Sequence, residues 1–124
     1  MTKTQEKYNL EDRTAKFSEG IIDLVRKTQK DIATSPILSQ LVRSGTSIGA
    51  NYCEANGASS KKDFKNKIYI CKKECKETKY WLQLLEKASP ENIEICRKHW
   101  QEAHELTMIF SKIIMTLEGR AQQN

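Results

Sequence analysis

Proline and glycine are both scarce in this 124-residue chain, with two of the first and five of the second. A many-stranded fold needs such residues at its turns, so few breaks are available for one. Long apolar runs are missing too, and none approaches the ~20 residues of a membrane span. The opening segment "MTKTQEKYNLEDR" has no hydrophobic core of the kind that marks a secretory signal. These absences predict a cytoplasmic protein with no membrane association, in which the four cysteines stay reduced. Catalytic signatures are equally thin. There is no G-x-x-x-x-G-K-[ST], no G-x-G-x-x-G and no C-x-x-C pair.

What the chain does have is charge, and most of it is local. The formal net charge is +5. The segment from Ser60 to Lys87 holds nine lysines against four acids, so it carries the whole excess; the remaining basic and acidic residues balance. The length suits one domain with one core.

Helical punctuation divides the chain into four. Ser35-Pro36 and Ser89-Pro90 each place a hydroxyl N-cap before a proline whose missing N–H costs nothing in a first turn. Ser60 to Asp63 reads as a capping box. The predicted helices run from about Leu10 to Ile32, Pro36 to Asn56, Lys61 to Ala88 and Pro90 to Leu117. Apolar residues recur at alternating spacings of three and four in the last three. The first is less regular, with Phe17, Ile21, Leu24, Val25 and Ile32. That pattern is the seam of helices packed side by side, and short connections favour an all-α, up-down-up-down antiparallel four-helix bundle. The bundle should occupy residues 10–118, with flexible segments at 1–9 and 119–124.

The stretch "RSGTSIGANYCEANG" (Arg43 to Gly57) looks at first like a phosphate loop. The apolar register nevertheless runs through it without a slip, with Gly45 between Leu41 and Ile48. It therefore reads as helix, at a cost of about 1 kcal/mol for each interior glycine relative to alanine. Close helix packing across Gly45 and Gly49 would offset that cost. Gly57 ends the periodic run and reads as a left-handed C-cap. Arg43, Ser47, Asn51 and Glu54 share one face of this helix. Spacing leaves two readings open. One is a solvated face; the other is a partly buried network joining Arg43 to Glu74 or Glu77 and Asn51 to Glu54.

The segments "QLVRSGTSIGANYCEA" and "DFKNKIYICKKECKETKYWLQLL" resemble the bacterial four-helix-bundle family named after 23S rRNA intervening sequences. The residues that carry the resemblance are Gln40, Arg43, Ser47, Ile48, Ala50, Asn51, Glu54, Phe64, Glu74, Glu77, Trp81 and Leu82. It covers the second and third helices well, and the ends only by architecture. It implies a small helical protein that assembles into a ring-like homopentamer, with no catalytic residues and no settled activity.

On an ideal helix Lys61, Lys65, Lys72, Lys76 and Lys79 fall within roughly a 60° arc, and Tyr69 and Tyr80 extend it. The plain reading of such a row is a solvated face. The functional reading is a ridge for RNA or DNA backbone, with tyrosines available for stacking. Lysine favours point-charge contacts over bidentate base reading, so binding should be steep in salt and loose in sequence. Ile70 and Trp81 lie on the other flank of the third helix, and Leu106, Ile109 and Ile113 add a stripe to the fourth. These read either as a wide core face or, with the resemblance added, as a subunit interface.

Chemistry has weaker candidates. Cys53, Cys71, Cys75 and Cys96 read as small buried hydrophobes rather than zinc ligands. His99 and His104 are five apart, on different helix faces, and read as surface residues. Glu74 and Glu77 lack the Glu-x-x-His partners of a di-iron bundle. The sequence therefore points to a non-enzymatic protein with no cofactor, metal or small-molecule substrate, which binds itself and RNA or DNA. The alternative is an interaction scaffold for a protein partner.

Overall fold

The computed structural model describes residues 9–119. The segments 1–8 and 120–124 lie outside the described residues, and with them most of the two predicted flexible ends. Among the described residues four antiparallel helices form the fold: α1 (Leu10–Lys27), α2 (Thr34–Asn56), α3 (Lys61–Ala88) and α4 (Ile93–Leu117), the last preceded by a 3-10 turn, Pro90–Asn92. No strand occurs among the described residues. No helix there is long and apolar enough to cross a membrane.

The best-punctuated helix, α3, has its predicted bounds. The Ser60 hydroxyl accepts from the Asp63 N–H at 3.0 Å, and Asp63 adds a negative charge to the first turn. Three other boundaries and one cap conformation depart from expectation. Helix α1 stops at Lys27, not Ile32, because Asp31 redirects the chain: its carboxylate accepts from the N–H groups of Ala33 and Thr34 at 2.9 and 2.8 Å. Ile32 is left 94% exposed and is not part of the core stripe. Thr34 opens α2 and Pro36 falls at its third position, so Ser35 is not the cap. Pro36 is tolerated there because first-turn N–H groups have no intrahelical partner. Gly57 has φ −98°, an ordinary right-handed value, rather than the left-handed cap expected of it. The glycine with positive φ is Gly119, at 73°. Pro90 opens the 3-10 turn and α4 itself starts at Ile93, while the Ser89 hydroxyl accepts from the Asn92 side-chain amide at 2.9 Å instead of capping a backbone N–H.

The core is lined by Phe17, Ile21 and Leu24 of α1, Leu41 and Ile48 of α2, Ile68, Leu82 and Leu85 of α3, and Leu106 and Phe110 of α4. Leu106 is fully buried, so it is a core residue and not an interface candidate. A long helix with neighbours on two sides needs a wide apolar face, which accounts for the extra stripe on α4. Cys71, Cys75 and Cys96 are buried as expected, whereas Cys53 is exposed. Desolvation pushes the Cys71 thiol up to about 12 and Cys96 to about 11, which removes thiolate character at neutral pH. Among the described residues no cluster of three or more His, Cys, Asp or Glu is placed to hold a metal ion.

The helices do not pack equally. Helix α3 packs broadly on α2 and α4, and α1 packs broadly on α2; the contact of α1 with α4 is thin. At Gly49, a Cβ would lie 3.2 Å from Thr14 Oγ1 and 3.5 Å from the Thr14 carbonyl carbon. At Gly45 the neighbour is the Ile21 side chain, with two carbons 3.1 Å from a Cβ position. The Ser18 hydroxyl adds a bond to the Gly45 carbonyl at 3.3 Å.

The thin α1–α4 seam is closed by two devices. Arg13 donates to both oxygens of Glu102, at 2.7 and 2.8 Å, and to Glu105 at 3.0 Å. His99 wedges over Gly20, where a Cβ would come within 2.7 Å of its Cε1, and meets Phe17 edge-on at 5.9 Å. His99 is thus a partly buried packing residue rather than the surface residue its spacing suggested. Burial first, then Lys98 and Lys27, holds the imidazole below its usual range; Asp23 and Glu102 act the other way. The folded state therefore favours neutral His99. Its contribution to stability should be full above about pH 6.5 and be lost as pH falls through the depressed folded value. Melting curves from pH 7.5 to 5 should show this decline, and His99→Gln should flatten it. An equal decline in the variant would assign the effect to other groups.

Candidate nucleic-acid interface

The lysine row lies on the flank of α3 beside α4. Lys61 and Lys76 are exposed, and Lys65 and Lys72 are half-buried along their stems. None of these four makes an ion pair within the described residues, although Lys67, on another face of the same helix, bonds Glu54 at 2.7 Å. From Lys61 to Lys76 the row rises about 22 Å along the helix axis. Lys79, at the far end, is engaged differently. Its ammonium lies 3.1 Å from His104 Nδ1 and 5.0 Å from the Trp100 ring centre. Trp100 and His104 stack at 5.1 Å with planes 12° apart. Tyr69 is part-exposed and bonds Glu118, while Tyr80 is exposed and meets Trp81 edge-on. Spacing within α3 could not connect the row with Trp100 and His104. The signal that would have done so is the antiparallel pairing of α3 with α4.

The signature residues of the resemblance gather on the opposite flank of α3, against α2. Arg43 donates to Glu74 at 3.3 Å, to Glu77, and to Gln40 at 3.0 Å. Trp81 Nε1 donates to Glu77 at 3.1 Å. The second expected pairing does not form: Asn51 donates to the Ser47 carbonyl at 2.8 Å, and Glu54 takes Lys67 instead of Asn51. The reason is helical geometry, since an amide four residues after Ser47 meets that residue's carbonyl directly. Glu74 is buried, and Arg43 supplies the charged partner that a buried carboxylate needs. The network locks α2 to α3.

A family model, 23S rRNA-intervening sequence protein, matches residues 6–112. The chain belongs to that family. A similar solved structure is the crystal structure of a protein of unknown function from the S23 ribosomal protein family of Bacteroides thetaiotaomicron. It is 33% identical, covers 84% of this chain and 96% of that one, and superposes with a TM-score of 0.75. No curated protein matches. The Arg43–Glu74–Glu77 network of this family member joins residues far apart in sequence and so helps specify the packing of two helices.

Among the interface candidates, Ile70, Trp81, Ile109 and Ile113 are half-buried. Trp81, Ile109 and Ile113 pack against the core with their remaining surface open. Ile109 and Ile113 also line an apolar hollow of about 380 Å³ with Leu10, Tyr52 and Leu117.

Proposed function

We propose that this family member is a non-enzymatic, oligomeric helical bundle that binds RNA or DNA backbone through the lysine row of α3. The observation that supports this most is the absence of ion-pair partners for Lys61, Lys65, Lys72 and Lys76 among the described residues. Like charges this close destabilise a free helix, and no ion pair among the described residues relieves them. Polyphosphate would relieve them. The half-open apolar groups Ile70, Trp81, Ile109 and Ile113 support self-association, and the family resemblance favours a homopentamer as its form. A ring would repeat the row and add avidity to weak single contacts.

Affinity for an RNA oligonucleotide measured across a salt series tests the binding. The logarithm of affinity should fall with the logarithm of salt, with a slope of about −3 for four phosphates neutralised by one chain. No binding at low salt, or affinity indifferent to salt, would overturn the reading. Light scattering tests the assembly. A mass of about 72 kDa is expected from a 14.3 kDa chain in a five-fold ring, and a clean monomer would exclude it.

A further inference from the structure

The lysine row has a companion row on α4. Met108 is 59% exposed and Met115 42%, both unusually open for long apolar side chains. On an ideal helix they share an arc of roughly 40° with His104. The two rows adjoin, because Lys79 from one touches His104 from the other. The antiparallel register is pinned at both ends by Lys79 with His104 and Tyr69 with Glu118. At ~1.5 Å per residue this sets Met108 level with Lys76 and Met115 level with Lys72. Helices in contact lie about 8–10 Å apart. So one wall of a shallow groove is cationic, and the other is soft, apolar and unpaired.

We propose that this groove takes an unpaired RNA or DNA strand, with its phosphates along Lys65, Lys72 and Lys76 and its bases against His104, Met108 and Met115. This rests on the reading of the row as a nucleic-acid site and names the form of nucleic acid that suits it. A duplex hides the flat faces of its bases in the stack and lines its outer edge with phosphate, so it would leave the methionine wall facing water. A single strand presents both chemistries side by side, anionic on one edge and apolar on the other. Thioether side chains are polarisable and mould to flat aromatic faces, which suits sequence-tolerant contact with bases. The imidazole of His104, already stacked on Trp100, extends the same surface.

Fluorescence anisotropy with a labelled single strand and with the matching duplex tests this on the full-length protein. The single strand should bind about tenfold more tightly at equal salt. The paired change Met108→Ala with Met115→Ala leaves every charge in place. It should remove that preference while duplex affinity stays as it was. Lys72→Glu with Lys76→Glu should weaken both ligands. Equal affinity of the wild type for both forms, or a preference that survives the methionine changes, overturns this inference and leaves the backbone reading standing. Failure of the wild type to bind either form removes both. Saturable binding of an acidic amphipathic peptide with no single-strand preference would assign the groove to a protein helix instead.

Discussion

Replacing Gly45 by leucine should lower the melting temperature by about 8 °C. The position is buried in α2, and a Cβ there would sit 3.1 Å from two carbons of Ile21, itself fully buried in α1. A β-branched side chain in a helix has one favoured rotamer and cannot swing aside without strain. Overpacking costs about 1–3 kcal/mol or more, and leucine recovers about 1 kcal/mol of helix propensity over glycine. A net loss of about 2 kcal/mol, spread over the unfolding entropy of a chain this long, gives the stated shift. Gly45→Ala should be close to neutral, since it adds the propensity gain and asks Ile21 to yield only a few tenths of an ångström. A leucine variant that melts with the wild type would mean that α1 repacks freely over α2.

Reversing three lysines, Lys65→Glu, Lys72→Glu and Lys76→Glu together, should abolish measurable binding of RNA or DNA. The affinity loss should be on the order of a hundredfold or more at low salt, because attraction to phosphate becomes repulsion along most of the row. These lysines make no ion pair among the described residues, so the fold should survive their loss. Circular dichroism and an unchanged or higher melting temperature would confirm that. Intact folding with unaltered affinity would mean that the row serves only to solvate the helix.

How much of this was legible in the sequence depended on whether the cause was local. The Ser60 cap and the Ser89 boundary fixed α3 because both act within four residues. The end of α1 escaped because apolar spacing runs on to Ile32, while the deciding groups are polar: the Asp31 carboxylate and the N–H groups it holds. The Arg43 network stayed open between two readings, since spacing shows that residues share a face but not what stands opposite. Leu106 and His99 were misplaced for a related reason. Each belongs to the side of α4 turned towards α1 or the core, and one helix's periodicity does not reveal how many neighbours it has. The lysine row was plain from the start. Its neighbours Trp100, His104, Met108 and Met115 required the second helix to be put in place.

The thin seam between α1 and α4 bears on how the chain reaches this fold. The broad interfaces join helices that follow one another in sequence, and the first and last helices, farthest apart in the chain, touch only thinly. Each helical hairpin can therefore close across a short connection, with a small loop entropy at every step. Topologies of this kind have low relative contact order and fold in microseconds to milliseconds. The Arg13–Glu102 clasp and the His99 wedge join the most distant segments, whose closure carries the largest loop entropy. Contact between chain neighbours thus favours assembly by accretion, with the seam as the final stitch.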